Sequence, residues 1–198
     1  MSRSRRALWT AKVLGKLSAR PGATDAELAE AQFGRVGQRA FHGVVLGIDP
    51  SLRGTGLALV EFLPEGAKLR YSRTVKLPAT APFASCLAEI FRAVQETMAR
   101  GPVKHVAIEE TIFVQNRKAV HILGAARGAA IAAAAVAGVE VFEYAPLRIK
   151  QAVVGFGRAS KPQVGGMVAQ HLQLKFALPT DESDAAATAL CHAFTWRG

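Results

Sequence analysis

The chain has 198 residues, half of them hydrophobic, and a formal net charge of +10. Its length predicts one domain with a proper core, and its apolar content argues against general disorder. The basic balance favours a polyanionic partner, either nucleic acid or an anionic membrane surface. The longest apolar stretch, residues 128–139, is shorter than the roughly 20 residues of a membrane span, so we expect a soluble protein without a membrane partner. Cys86 and Cys191 stand alone in apolar contexts, which is typical of reduced thiols in a cytoplasmic protein.

Residues 1–43 form a basic N-terminal extension. They carry eight Lys or Arg against three acids, Asp25, Glu27 and Glu30. Three interpretations stay open: an organelle transit peptide, an accessory DNA-binding arm, or a stretch included by a start codon assigned too early. The acids and the low serine content argue against the transit peptide. We expect a poorly ordered segment that is dispensable for catalysis.

The second part, residues 44–198, alternates strands and helices. Turn signals separate the apolar runs 44–48, 57–62 and 69–77, which predicts three antiparallel strands. Helical and extended patterns then predict helix 83–100, strand 103–108, helix 116–137, strand 139–144, and helices 147–154, 162–172 and 183–196. The order predicts an α/β fold with a five-stranded mixed sheet flanked by helices.

Carboxylates follow two of the predicted strands. Asp49 ends the first strand, and Glu109 and Glu110 end the fourth. Asp181 and Asp184 are three residues apart where the last helix opens, so they share one helix face. Ligands gather at the carboxyl ends of strands in open sheets, and we therefore expect these side chains to meet. Such a cluster would repel strongly unless divalent cations relieved it, and paired Mg²⁺ ions suit phosphodiester hydrolysis.

Each carboxylate also has a simpler interpretation. Asp49 before Pro-x-x-x-Gly is typical of a turn, and Glu109 with Glu110 is compatible with a solvated strand end. Asp181 and Asp184 would suit the positive end of a helix dipole. The hypothesis of a metal site would be excluded only if all of these simpler interpretations were correct at the same time.

The segment 112–176 has a strong basic excess, since its only acids are Glu140 and Glu143. Such surfaces bind phosphate backbones with strong salt dependence, and the alternative is a merely solvated face. The histidines lack metal-ligand spacing and are expected to be structural or surface residues. The basic residues of the segment are Arg117, Lys118, Arg127, Arg148, Lys150, Arg158, Lys161 and Lys175.

Four segments, in order and spacing, resemble the RuvC Holliday junction resolvase family. They are "LGIDPSLRGTGLALVE", "VAIEETIFVQNRKAVHILGAARGAAIAA", "VFEYAPLRIKQAVVGFGRASKPQV" and "LPTDESDAAATALCHA", and they cover roughly residues 44–195. The resemblance implies a ribonuclease H-like fold, a homodimer, and Mg²⁺-dependent paired nicking of four-way DNA junctions in recombination and repair. It also implies a partner complex that drives branch migration.

The resemblance assigns roles to individual residues. It implies two Mg²⁺ ions per active site, with Mn²⁺ as a substitute, and it leaves Glu110 as a neighbour of the ligand. Lys161, and less directly Lys150, would offset charge on the scissile phosphate. The implied catalytic and metal-binding carboxylates are Asp49, Glu109, Asp181 and Asp184. The implied DNA contacts are Arg117, Lys118, Lys150, Arg158, Ile112 and Phe113.

The sequence departs from the family pattern at two places. Ser51 stands where the family usually has Gly after Asp-Pro. Ile112 stands where the family has the phenylalanine that is thought to wedge into the junction, and Phe113 follows one position later. Which of the two would act as the wedge stays open.

Two other protein classes share part of this pattern. A junction-binding protein without nuclease activity would keep the basic face and lose a carboxylate, whereas all four are present. Actin-like ATPases and sugar kinases share the fold and an Asp-bearing first hairpin. They need a second domain to close over nucleotide, and residues 44–198 are too few to supply it. The nuclease is therefore the favoured interpretation.

Overall fold

The computed structural model describes residues 41–111 and 117–198, without the Arg117 side chain. Five strands form one mixed sheet in the order β3-β2-β1-β4-β5. They are β1 (Gly43–Asp49), β2 (Gly54–Leu63), β3 (Gly66–Lys76), β4 (Val103–Glu109) and β5 (Glu140–Tyr144). The first three pair antiparallel, and β1, β4 and β5 run parallel. The predicted five-stranded mixed sheet is confirmed. Predictions for residues 1–40, Ile112 and Phe113 lie outside the described residues.

Five described helices flank the sheet: α1 (Phe83–Met98), α2 (Arg117–Val136), α3 (Pro146–Val154), α4 (Lys161–His171) and α5 (Thr180–Thr195). The last helix begins at Thr180 and not at the expected residue 183. Pro179 precedes it in extended conformation, and Asp181 and Glu182 lie in its first turn, where the helix dipole favours acids. The early start brings Asp181 and Asp184 into the same helix.

The two faces of the sheet are covered differently. On one face, alternate residues of β1 such as Leu46 and Ile48 pack with Ile90 of α1 and Ala130 of α2 in the main apolar core. On the other face α5 lies directly on β1 and β2, without a layer of side chains between them at Gly47 and Gly56. A Cβ atom on Gly47 would lie 2.0 Å from the Ala185 carbonyl oxygen, and one on Gly56 would lie 1.9 Å from that of Asp181.

Phe41 belongs to the folded unit although it precedes β1. Its ring is 4 % exposed, and its centroid lies 5.1 Å from that of His192 and 5.4 Å from that of Trp196. It also makes an edge contact with Phe62 of β2. Among the described residues, the packed unit therefore includes Phe41 ahead of the first strand.

We expect Phe41→Ala to lower the free energy of unfolding by about 3–5 kcal/mol, the usual loss for a buried phenylalanine. Denaturant unfolding followed by circular dichroism would measure it. Phe83→Ala is the control, because Phe83 is 47 % exposed and its loss should have a small effect. Equal losses for the two variants would show that Phe41 is not part of the core.

Two histidines have the structural role that the sequence predicts. The Tyr144 hydroxyl lies 2.8 Å from His192 Nδ1, and His192 Nε2 lies 2.9 Å from His105 Nδ1. Burial, with a smaller contribution from His105, lowers the pKa of His192 to about 3. His192 therefore stays neutral and joins α5 to the sheet through hydrogen bonds.

Helix α2 closely matches the predicted helix 116–137, and it is long and apolar. By length and composition alone, its segment Lys118–Val136 could cross a membrane. Core and interface helices pass the same test, so this is weak evidence for a membrane span. Only 22 % of the apolar window is buried. The buried side of α2 is formed by small residues that pack against α1 in the main apolar core: Ala126, Ala130, Ala133 and Ala134.

Candidate active site

Two strand ends place Asp49 and Glu109 side by side. β1 and β4 are neighbours and run parallel, with Ile48 opposite Ile108. The next residue of each strand is the carboxylate, so both carboxylates leave the sheet at one edge. Successive side chains of a strand alternate between its faces, and Asp49 is therefore on the same face as Gly47, which is covered by α5.

Helix α5 brings two more carboxylates to this edge. Its close approach at Gly56 fixes the first turn over the β1–β2 hairpin. Asp184 faces the cleft beside Asp49 and Glu109. Asp181 lies to the side, over β2, where a Cβ atom on Gly54 would be 3.3 Å from its Oδ2.

Two lysines enter the same cleft from α3 and α4. Ser160 begins α4 with a capping box, in which its backbone N–H donates to Gln163 Oε1 at 2.9 Å. The cap sets Lys161 in the first turn, and its Nζ donates to Asp184 Oδ2 at 2.8 Å. Lys150 of α3 also lines the cleft.

The cleft has a volume of about 230 Å³ and combines charged and apolar walls. A larger cavity of about 390 Å³ lies among Gln95, Met98, Gly101 and Val139, and no ionisable side chain lines it. The smaller cleft is therefore the better candidate for chemistry. Its lining residues are Asp49, Glu109, Pro146, Ile149, Lys150, Lys161, Val164, Asp184 and Ala187.

Burial and mutual repulsion perturb the carboxylates. Burial is the largest cause that raises the pKa of Asp49 to about 7, followed by the charges of Glu109 and Asp184, while Lys161 partly offsets them. The pKa of Glu109 is also raised, first by burial and then by Asp184. A carboxyl with a pKa near neutrality is a common feature of functional sites.

The charge pattern of the cleft fits a hard divalent cation. Its donors are carboxylate oxygens, which Mg²⁺ prefers, and the repulsion between them would be relieved by such an ion. The Lys161 ammonium already partners Asp184, and this hydrogen bond is the main cause that raises the pKa of Lys161. Within the described part of the chain, no three Asp, Glu, His or Cys side chains yet stand in metal-binding geometry.

Most of the predicted site residues converge. Five of them line the cleft, and Asp181 borders it. Glu110 is exposed, as expected of a neighbour of the ligand. Lys150, a predicted DNA contact, is one of the residues in the cleft. Two other predicted DNA contacts, Lys118 and Arg158, are exposed. The Arg117 side chain, Ile112 and Phe113 lie outside the described residues.

The Ser51 departure from the family pattern is tolerated by the loop. Among the described residues, the only one besides glycine with a positive φ is Gln173, so Ser51 needs no left-handed backbone. Its backbone N–H donates to Thr55 Oγ1 at 3.2 Å, which closes the loop onto β2.

Sequence reasoning missed the apolar half of the cleft and the glycines beneath α5. Pro146, Ile149, Val164 and Ala187 carry no motif of their own, and only the fold brings them together. For the close approach a signal was present at Gly47, which stands inside an apolar strand, where glycine marks a close neighbour. Gly56 belonged to the predicted turn before the second strand and gave no such signal.

The comparison with known families decides the class. The family model described as crossover junction endodeoxyribonuclease RuvC matches residues 45–192. The chain belongs to this family. A family member from Halorhodospira halophila is 44 % identical over 151 residues, which cover 75 % of this chain and 89 % of the relative. One from Pelotomaculum thermopropionicum is 38 % identical over 156 residues, which cover 77 % and 95 %.

The solved structures agree. Thermus thermophilus RuvC in complex with a Holliday junction substrate superposes with a TM-score of 0.73 at 38 % identity, covering 77 % of this chain and 94 % of the relative. The ribonuclease H-like fold and the resolvase family that the motifs predicted are confirmed. The protein is a crossover junction endodeoxyribonuclease of a metal-dependent nuclease family.

Proposed function

We propose that this protein resolves Holliday junctions by paired symmetrical nicks, made at the Asp49 cleft, during DNA recombination and repair. The convergence of strand-end and helix carboxylates with two lysines in one cleft carries the proposal. The relative solved with a Holliday junction substrate supports four-way DNA as the substrate. The net charge of +10 supports binding to a phosphate backbone.

Asp49, Glu109, Asp184 and Asp181 would hold two Mg²⁺ ions, and Mn²⁺ would substitute. Asp49 is the central ligand, since its carboxylate interacts with all three others. When bound, the ions supply Lewis acidity that activates water and stabilises the leaving 3′ oxygen. Asp49 must release its proton for this, so the affinity for the ions should rise with pH up to about 7.

The two lysines would act on the substrate. Lys161 carries a positive charge at the cleft wall, 2.8 Å from Asp184, and 68 % of its side chain is exposed. It can therefore turn towards a phosphate that enters the cleft. With Lys150 it would offset the charge that develops on the scissile phosphate. Arg117, Lys118 and Arg158 would bind the flanking strands, with Ile112 or Phe113 contacting the junction centre.

The test is cleavage of a synthetic four-way junction compared with linear duplex of the same sequence, in Mg²⁺. A homologous core lets the junction migrate through many sequences, so an unknown cleavage preference does not hide activity. We expect paired nicks in the junction and none in the duplex. Binding without cleavage would favour a junction-binding protein, and ATP binding on titration would favour the actin-like ATPases.

We also propose that the protein is a homodimer through the exposed side of α2. Gly124 and Gly128 are exposed and four residues apart, and a Cβ atom on either would meet nothing within 4 Å among the described residues. Neither glycine is therefore required for close packing within the described part of the subunit. Val136 on the same helix is 71 % exposed. A second copy of α2 would cover this small-residue surface, and paired nicks need two sites related by a two-fold axis.

Gly124→Leu should weaken the dimer by at least about tenfold, because the added side chain holds the two helices apart. Sedimentation velocity over a concentration series would measure the dissociation constant. Gly166→Leu is the matched control, since Gly166 of α4 is also exposed and a Cβ atom there would meet none of the described residues within 4 Å. A monomeric unmutated protein at micromolar concentration would contradict the proposed interface.

The remaining expectations stand as proposals. Residues 1–43 would be dispensable for catalysis, and their basic excess keeps open the alternative of an accessory arm that adds sequence-independent phosphate contacts. A cytoplasmic location is supported by Cys86 and Cys191, which are both free and buried. A branch-migration complex would supply junctions to the enzyme.

A further inference from the structure

An apolar tip stands in the loop that joins α3 and α4, the two helices whose Lys150 and Lys161 line the cleft. The loop between α3 and α4 presents Phe156, whose side chain is 47 % exposed. Leu147 in the first turn of α3 is 66 % exposed and lies against the same loop. Exposed apolar side chains at a rim of charged residues are typical of binding sites.

The tip is held in a fixed conformation. Gly155 ends α3 with φ of 94°, a left-handed conformation, and its N–H donates to the Gln151 carbonyl oxygen at 3.0 Å. Gly157 packs against α3, because a Cβ atom there would lie 3.3 Å from Leu147 Cδ2. Ala159 behind the tip is 1 % exposed. Packing within the chain therefore fixes the loop and still leaves the Phe156 ring in solvent.

The residues around the tip are of the kinds that bind a DNA strand. Pro146, directly before Leu147, lines the cleft, and so does Lys150 one turn further on. Arg158 is exposed and forms no ion pair within the described residues. Cations for the phosphates and a ring for a base or sugar together match a nucleic acid strand better than an apolar peptide or lipid.

We propose that Phe156, supported by Leu147, packs on the base and sugar of the nucleotide next to the scissile phosphate. The contact holds that phosphate over the carboxylates, so Phe156 is a positioning residue. The proposal rests on the proposed function, because it requires that the Asp49 cleft cuts DNA. The proposed Phe156 contact would add an apolar interaction with DNA to those of the carboxylates and lysines of the cleft.

The test compares three variants with the unmutated protein on a four-way junction with a homologous core. Phe156→Ser removes the ring, Phe156→Tyr keeps it, and Phe83→Ser removes an equally exposed ring on α1, at the other face of the sheet. Cleavage is measured in a single turnover with protein in saturating excess, and junction affinity is measured separately in Ca²⁺. We expect Phe156→Ser to cut about tenfold more slowly at saturation, with affinity reduced by less than about threefold. Phe156→Tyr and Phe83→Ser should cut at the unmutated rate.

Three results would overturn the proposal. One is an unchanged rate in Phe156→Ser, and another is an equal loss in Phe83→Ser. The third is a slower rate in Phe156→Ser that is also found in Phe156→Tyr, or that is accompanied by a markedly lower unfolding temperature. In either case the side chain would act through the stability of the fold and not through contact with DNA. Failure of the unmutated protein to cut any junction would instead refute the proposed function itself.

Discussion

Asp49→Asn should reduce the rate of junction cleavage by at least about 1,000-fold while leaving junction affinity nearly unchanged. Asp49 is the carboxylate on which burial and the charges of Glu109, Asp184 and Asp181 converge. The amide keeps the shape of the side chain and removes the negative charge that would bind the cations. Removal of a negative charge near phosphates does not weaken phosphate binding. Single-turnover cleavage and a gel-shift titration of the same junction would separate the two quantities.

The same variant should be more stable than the unmutated protein when divalent metal is removed. Folding raises the pKa of Asp49 from 3.8 to about 7, so the folded state binds a proton that the unfolded chain releases. The free energy of unfolding of the unmutated protein therefore falls as the pH rises from about 4 to about 7. Asn carries no such proton, and the variant should gain about 2–4 kcal/mol at pH 8 and almost nothing at pH 4.

These two measurements check each other. Cleavage by Asp49→Asn at a rate comparable to that of the unmutated protein would refute the metal assignment. Loss of cleavage together with loss of stability at pH 8 would show that the amide disrupts the fold and not the metal site. Added Mg²⁺ should stabilise the unmutated protein at pH 8 much more than the variant, because ligand binding to the folded state adds to its stability.

Much of the site could be predicted because its signals are local. An apolar run that ends in a carboxylate marks both a buried strand and the edge where it stops, which is how Asp49 and Glu109 were found. Sheet topology then required only that the first and fourth strands be neighbours, as they are. The i,i+3 spacing of Asp181 and Asp184 predicted a shared helix face, which the structure provides because the last helix begins at Thr180.

Other features depend on tertiary packing that no local pattern encodes. Asp184 reaches the cleft while Asp181 stays over β2, because α5 rests on Gly47 and Gly56 and not on a layer of side chains. Phe41 precedes the first strand by two residues, and its burial depends on Trp196 at the other end of the described chain. Such contacts between distant residues determine that Phe41 belongs to the core and that Asp184, and not Asp181, lines the cleft.

The separation of charge in the fold explains how a basic protein can hold an acidic site. Three carboxylates are confined to one cleft, whose lysines leave them only partly neutralised. Many of the other acids are paired at the surface, for example Glu61 with Arg70 and Glu96 with Arg73. Exposed cations such as Arg158 remain available to a phosphate backbone. The protein can thus attract DNA over a wide surface and still keep a cation-binding cleft at its centre.

Glu109→Gln should reduce cleavage by about a hundredfold or more, whereas Glu110→Gln should change it by less than about threefold. The two glutamates are adjacent, but strand alternation turns Glu109 into the cleft and leaves Glu110 exposed. The backbone N–H of Glu110 donates to the Tyr144 carbonyl oxygen at 2.9 Å, and the substitution leaves this bond intact. The two substitutions are therefore matched, and they differ in whether the altered side chain faces the cleft or the solvent. Single-turnover rates over a Mg²⁺ titration should show a higher Mg²⁺ requirement for Glu109→Gln alone, and equal effects of the two substitutions would contradict the assignment of Glu109 as the ligand.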